Sequence, residues 1–510
     1  MIAGSGRKSQ RGERIGCPKS GRRRESCSRK SRRRRERCPR KSGRLWTNEE
    51  NDVNHVITAR DIRDFIGDRY RALRYKKAFW VSLSLFFFIL ILSWATTSPP
   101  EDIPEDVKQT PDLRAVNQKI SNADSDLPTT RKMEKLIRDF LRKWEIQGAS
   151  VAIVKDGRLV YARGFGWADA EKGDSMEVSH VLRVASVSKL FTAAAIMKLR
   201  EEGRLSLSDR VFGPEGILPD SLYGTPNDKR MERITVEHLL RHEAGFSLAA
   251  GDPMFYPLDI ARKMEVAPPP DKKTMIRFAL SRRLGSAPGQ RYSYSNLGYL
   301  ILTEVIERVS GRDYESYIKE AIFRPAGCYD IHLAYNFPEQ KYPHEVSYYE
   351  PSNAELSLAC DGSGRSVLKS RGGNDVRGLL GAGAWVASAV EVARVVSAMD
   401  GRNDATPDIL KYSSVEYMTR NVRGRMPIGW INTFGKGNWT RSGSFAGTSA
   451  MIKRQSDGYT WVFITNTSSW TGSKFPKKIE DLMRRALSTV KVFPQRDMFS
   501  PDYIPVSAEK

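Results

Sequence analysis

Three short stretches carry side chains whose types and spacing could do chemistry together. The first is Ser186-Val187-Ser188-Lys189, followed by the apolar run LFTAAAIMKL. Its Ala and Leu content, and Gly203 beyond it, predict a helix whose first turn holds Ser186 and Lys189. A spacing of three puts both on one helical face. A serine hydroxyl is inert near neutral pH and needs a base within hydrogen-bond reach, and a desolvated lysine can serve as or support one. The second is Tyr294-Ser295-Asn296, between the turn Ala287-Pro288-Gly289 and an apolar helix expected over 297–309. A phenol beside an ammonium loses its proton more readily and can act as a general base. The amide two residues on can orient a substrate carbonyl or tie down the lysine. The third is Arg441-Ser442-Gly443-Ser444, where an edge strand could pair with an acyl substrate and offer an N–H to an oxyanion. Gly443 would allow substrate backbone to come close.

Each stretch alone has a plain structural reading: a serine cap with a surface lysine, a buried tyrosine with a turn asparagine, a polar edge strand. Their order along one chain changes that weighting. SxxK, YxN and cation-Ser-Gly in sequence resemble the serine β-lactamase and penicillin-binding-protein superfamily, in its class C-like branch, which includes the animal mitochondrial serine β-lactamase-like protein. Supporting segments are VLRVASVSKLFTAAAIMKLREEGRLSL (181–207), ITVEHLLRHEAGF (234–246), APGQRYSYSNLGYLILTEVIERVSG (287–311), GAGAWVAS (381–388) and RSGSFAGTSAMI (441–452).

The resemblance implies an α+β fold, an antiparallel sheet from both chain ends flanked by helices, with a helical subdomain and the site between them. It implies Ser186 as acylated nucleophile, Lys189 as its proton partner and Tyr294 as general base. Asn296 would hold a substrate amide and Lys189, and the backbone N–H groups of Ser186 and Ser444 would form an oxyanion hole. Arg441, Ser442 and Gly443 would bind substrate. The family usually has Lys or His where this chain has Arg441. Arginine keeps the charge but cannot shuttle a proton, so recognition of a substrate carboxylate is expected rather than efficient β-lactam turnover. The implied activity is hydrolysis of an amide, ester or peptide through an acyl-enzyme. The alternative from another class is a catalytically silent, membrane-associated scaffold, for which intact Ser186, Lys189, Tyr294 and Asn296 would have no physical use.

His238 and His242 lie four apart on an expected helix, a spacing that can chelate metal, but a third ligand motif is missing, and the family resemblance of the HLLRHEAGF segment implies a structural role. No nucleotide-binding fingerprint appears, and no cofactor is expected.

The elements that must position these residues are legible at both ends of the body. Met133, Leu136, Ile137, Phe140, Leu141 and Trp144 mark one face of a helix. ASVAIVK (149–155), Asp156-Gly157 and RLVYAR (158–163) predict a hairpin with a type I′ turn. TSAMIKR (448–454) and YTWVFITN (459–466) predict a second hairpin. A last amphipathic helix carries Ile479, Leu482, Met483, Ala486, Leu487 and Val490.

Ahead of this body the chain changes character. Residues 1–45 hold 18 of the 83 Lys and Arg against three of the 60 Asp and Glu, which accounts for +15 of the net +23. The basicity therefore belongs to a tail (1–77) expected to be disordered, with anionic lipid as its cheapest partner and no specific nucleic-acid site. Ala78–Ala95 is eighteen residues without a charge, long enough to cross a hydrocarbon core, and predicts a signal anchor over 78–96. Arg69, Arg71, Arg74, Lys76 and Lys77 precede it and acids follow, so the positive-inside bias predicts a single-pass type II protein. The body would face a lumen or the exterior, or the intermembrane space if the membrane is mitochondrial. A Pro- and Asp-rich stalk is expected at 97–130, the catalytic domain at 131–490 and a tail at 491–510. Of the five cysteines only Cys328 and Cys360 lie in the body, and two buried thiols are favoured over a bridge. Asn438 and Asn466 begin glycosylation sequons, Asn466 being favoured because it ends an expected strand.

Overall fold

The computed structural model describes residues 116–506 apart from Ala250, Asn403, Arg423 and Lys436. The basic tail, the expected span at 78–96 and the stalk up to residue 115 lie outside the described residues. Among the described residues no helix is long and apolar enough to cross a membrane.

The first hairpin is β1 (Gly148–Lys155) and β2 (Arg158–Asp169), joined by Asp156 and Gly157 at φ 49° and 75°. Both positive values are what a two-residue type I′ turn demands. A short β3 (Asp174–Ser175) borders β2. The C-terminal strands are β7 (Trp439–Phe445), β8 (Thr448–Arg454) and β9 (Tyr459–Thr465). β1 pairs antiparallel with β9, giving one six-stranded sheet in the order β3-β2-β1-β9-β8-β7. Strands from the early and late parts of the described residues thus meet at the sheet centre, and β7 is left at an edge.

Both faces of this sheet are covered. On one, Val151, Ile153, Met451 and Phe463 pack under α1 (Arg131–Lys143) and α8 (Phe475–Leu487). On the other, Ala152, Val154, Ala450 and Ile452 join the large core. That core includes α2 (Ser188–Glu201), the short α3 (Val236–Leu240), α4 (Pro257–Met264), α5 (Lys272–Leu280), α6 (Asn296–Ser310) and α7 (Ala389–Ser397). Burial on both faces is why β1 reads as a continuous apolar run instead of an alternation.

A second sheet of three short strands, β4 (Leu182–Arg183), β6 (Trp385–Ala387) and β5 (His332–Leu333) in the order β4-β6-β5, lies immediately before the SxxK segment. Thr448 Oγ1 donates to Arg183 O at 2.7 Å and fixes β4 to the start of β8.

Several expectations are corrected. The stalk does not extend to residue 130. Val116 and Ile120 are buried, Asn122 Nδ2 donates to Met176 O, and Ser125 Oγ accepts from Ala162 N, so 116–130 packs on the body. The tail likewise folds back. Met498 and Phe499 are buried, Asp497 accepts from Leu159 N, and Tyr503 Oη donates to Asp124 at 2.9 Å. Both segments bury isolated apolar residues without any helical or strand period, so periodicity could not reveal them. Asn466 is fully buried with its amide nitrogen donating to Trp167 O at 2.9 Å, which removes it as the favoured glycan acceptor. Cys328 and Cys360 are both buried and unbridged.

Candidate active site

Ser186 is not in the first turn of an α-helix. It lies in a 3₁₀ turn, Ala185–Val187, which leads from β4 into α2 starting at Ser188. Ala185 has φ 48°, an uncommon conformation for a residue with a side chain. Trp385 N donates to Ser188 Oγ at 3.2 Å, and Val184 N donates to Trp385 O at 3.0 Å, which hold the turn from both sides.

Lys189 is fully buried in α2. Its ammonium donates to Asn296 Oδ1 at 2.6 Å, to Ala382 O at 2.5 Å and to Ser186 Oγ at 3.2 Å. Three donors thereby meet three acceptors, none of them a carboxylate. Burial lowers the Lys189 pKa, and Arg441 pushes in the same direction. Ser186 Oγ also lies 2.8 Å from Tyr294 Oη. With Lys189 donating to its oxygen, the serine hydroxyl is free to donate to the phenol. Burial alone would raise the Tyr294 pKa, but the charges of Lys189 and Arg441 and the hydrogen bond with Ser186 outweigh it, and the net shift is downward. Serine and phenol are thus in direct proton-transfer contact beside a cation.

Asn296 opens α6, with Ser295 Oγ capping the helix by accepting from Gly298 N. Its Oδ1 holds Lys189, and its Nδ2 donates to Asp252 Oδ2 at 2.7 Å.

β7 brings the third motif to the nucleophile. Arg441 is 2% exposed, and its guanidinium donates to the main-chain carbonyl of Ser186 from Nε at 2.8 Å and also from Nη2. Among the described residues no carboxylate pairs with it. A Cβ on Gly443 would lie 2.4 Å from Val184 O and 2.7 Å from Ser186 N, so only glycine lets the strand run this close to the nucleophile turn. Phe445 and Thr448 flank the two-residue loop of the β7–β8 hairpin, and Ser444 faces Ser449. Alternation in an antiparallel ladder then turns the N–H and C=O of Ser442 and Ser444 outward from the sheet edge. Thr440, of the same parity, does use its outward N–H and C=O, on Asn432.

The eight residues singled out from sequence therefore converge. Sequence reading gave His242 only a structural role and did not anticipate Asp252 or Ala382. His242 does not share a helical face with His238, because α3 ends at Leu240 and His242 takes φ 60°. Its ring lies against Tyr294 with centroids 4.5 Å apart and planes tilted by 32°, and its Nδ1 accepts from Ser295 N at 3.1 Å. Burial, then the charges of Lys189 and Arg441, hold its pKa well below the ordinary value, so it is a neutral platform under the tyrosine. His238 Nδ1 accepts from Thr235 N, closing the start of α3. Ala382 follows a kink at Leu380 (φ 41°) that no sequence signal marks.

The Beta-lactamase family model matches residues 133–482, well over half of the chain. The chain belongs to that family. Among curated relatives, Protein flp of Staphylococcus aureus (strain N315) is 28% identical over 221 residues, 43% of this chain and 41% of the relative. The chain thus spans less than half the length of that relative. Among solved structures, the octameric penicillin-binding protein homologue from Pyrococcus abyssi aligns with TM-score 0.52 and 26% identity over 71% of this chain and 79% of that one. The D-amino acid amidase from Ochrobactrum anthropi SV3, complexed with L-phenylalanine amide, aligns with TM-score 0.56 over 72% and 99%, and at 18% identity it shares the fold. These matches account for the sheet built from early and late strands and for the family's helical body against it.

Proposed function

We propose that this chain is a serine hydrolase of the class C-like branch that cleaves an amide, ester or peptide through an acyl-enzyme at Ser186. The observation that carries the reading is the contact of Ser186 Oγ with both Tyr294 Oη, at 2.8 Å, and Lys189 Nζ, at 3.2 Å. In acylation, Tyr294 takes the hydroxyl proton as Ser186 Oγ bonds to the substrate carbonyl carbon. The resulting oxyanion would accept from the N–H groups of Ser186 and Ser444, the latter turned outward at the edge of β7. Collapse breaks the bond to the leaving group, which takes the proton from Tyr294. Water then repeats the sequence, giving its proton to Tyr294, and the acid is released as Ser186 regains its hydrogen. Lys189 supports this transfer as the partner of the serine and the phenol, its charge lowering the Tyr294 pKa, while Asn296 fixes its Nζ.

The substrate-binding part rests on Arg441, Ser442 and Gly443. Because Nε and one N–H of Nη2 hold Ser186 O, the second N–H of Nη2 and the two of Nη1 remain for a substrate carboxylate. A fluorophosphonate should label the wild type and not Ser186→Ala. Equal labelling of both would leave the silent-scaffold reading standing. A screen of ester, D-amino-acid amide and cephalosporin substrates then fixes the substrate class, with the first two expected to exceed the third.

We also propose that the body is tethered by Ala78–Ala95 with type II topology, on the charge asymmetry of its flanks. In sealed microsomes or mitochondria, protease should spare the 131–490 body until detergent is added. Digestion of the body with the tail protected would reverse the orientation.

A further inference from the structure

A cavity of about 240 Å³ opens on the other side of the segments that hold Tyr294 and Asn296. Its apolar walls are Met231, Phe246, Ile260, Phe278 and Leu297, supplied mainly by α4, α5 and the start of α6. Ser186, Lys189 and Tyr294 do not line it. It shares a wall with the site, since Ser295 separates Tyr294 from Asn296, and Gly251 and Pro253 flank the Asp252 that holds Asn296. A Cβ on Gly251, at φ 84°, would lie 2.7 Å from the Tyr256 ring, so the glycine lets that ring close over this wall.

The mouth is strongly one-signed. Lys263, Arg282 and Arg283 line it, all exposed, and among the described residues none of the three forms an ion pair. The one acid of the lining, Asp259, is already paired with Arg262 at 2.5 Å. Arg282 lies 5.5 Å from the Phe278 ring, over the apolar wall. Leu248 and Tyr256 at the rim are 38% and 47% exposed, an unusual outlay of apolar surface around a hole. An apolar chamber with three uncompensated cations at its entrance complements one chemistry: an aliphatic chain that ends in an anion.

We propose that this cavity binds a single-chain anionic amphiphile, a carboxylate on an aliphatic tail, as a site separate from the Ser186 centre. The tail lies among Phe246, Ile260 and Phe278, and the carboxylate meets Lys263, Arg282 and Arg283. The proposal does not depend on hydrolysis at Ser186.

Octanoate carrying a terminal diazirine, photolysed with the full-length chain in neutral-lipid nanodiscs, reads this out by peptide mass spectrometry. Insertion is expected within 246–260 and 275–297, competed by octanoate and not by octyltrimethylammonium. Arg282→Glu combined with Arg283→Glu should cut labelling at least 10-fold while leaving the melting temperature in place, since neither side chain has an ionic partner. Ile260→Trp, which fills the chamber, should abolish it, and Ser186→Ala should label like wild type. Labelling that ignores the charge reversal, or that the cation competes equally, overturns the proposal. So does loss of labelling in Ser186→Ala, which would make the cavity part of the acylation cleft. A charge-dependent association with nanodiscs of anionic phospholipid, without insertion in the cavity segments, would assign the basic rim to a membrane surface instead.

Discussion

Two clusters of buried charge in this protein solve the same physical problem in opposite ways. Around Ser186, two cations, Lys189 and Arg441, are buried against neutral acceptors: an amide oxygen, two main-chain carbonyls and a hydroxyl. Around Asp330, a buried carboxylate is surrounded by donors. His332 Nε2 lies at 3.0 Å, His344 Nε2 at 2.7 Å and Asn117 Nδ2 at 2.9 Å. Burial alone would raise the Asp330 pKa, but these donors hold it well below the ordinary range. Glu391 beside it is fully buried, accepts from Tyr329 N and Asp330 N through Oε1, and is pushed up to about 7 by burial. The second cluster links segments of the chain from 117 to 391, and its donors lock Asp330 in the charged state. The first leaves cations uncompensated, so Lys189 and Tyr294 hold their protons less tightly than usual. Neutral partners make a site that can move a proton; donor-rich partners make a joint.

The sharpest way to break this contrast is to remove the proton-transfer pair. Lys189→Ala and Tyr294→Phe should each lower kcat at least ~10²-fold, the usual size of a general-base contribution. The double mutant should fall little further, because members of one unit are not additive. Steady-state kinetics on an ester substrate gives the answer, and multiplicative losses would mean two independent roles.

The joint should respond in stability instead of rate. A carboxyl raised from 4.5 to about 7 contributes stability that is full below its unfolded pKa and lost as pH rises through 7. Denaturant unfolding should therefore show wild type losing about 3 kcal/mol across that window, at about 1.4 kcal/mol per pKa unit. Glu391→Gln should remove most of the slope. A residue of it should persist from His344, whose pKa is also raised, chiefly by its hydrogen bond to Asp330. A mutant slope equal to wild type would show that Glu391 does not titrate there.

Arg441 sharpens the comparison from the site's side. Its charge helps to lower the Tyr294 pKa, so Arg441→Ala should move the acid limb of the kcat/KM profile to higher pH. Arg441→Lys, which keeps the charge, should leave that limb near its wild-type position even if the rate falls. The smallest effect is expected at Asp252. Asp252→Asn weakens the hold on Asn296 Nδ2, and a loss of about 1 kcal/mol, or several-fold in kcat, is expected with KM little changed. Tyr294→Phe kinetics under the same conditions sets the scale for this positioning role.

The hairpins 149–163 and 448–465 were legible because turn chemistry and β-rich runs are local. Helices α1 and α8 were legible from their apolar stripes. Ser186, Lys189, Tyr294 and Asn296 were legible because short motifs fix residue types at fixed spacings, and the motif strand was correctly expected at an edge. Each of these depends on neighbours a few positions away. The packing of 116–130 and 491–506 was not legible, since it rests on single buried residues and hydrogen bonds to distant segments. Nor could sequence show that His242 leaves its helix to lie against Tyr294, that Ala382 O and Asp252 complete the lysine's surroundings, or that Arg441 reaches back to Ser186 O. Those contacts join positions 44 to 255 residues apart in the chain. Sequence by itself determined which groups could react and which elements would carry them. Only the tertiary structure decided which partners each charge meets, because desolvation and hydrogen bonding are properties of the folded surroundings and not of the local chain.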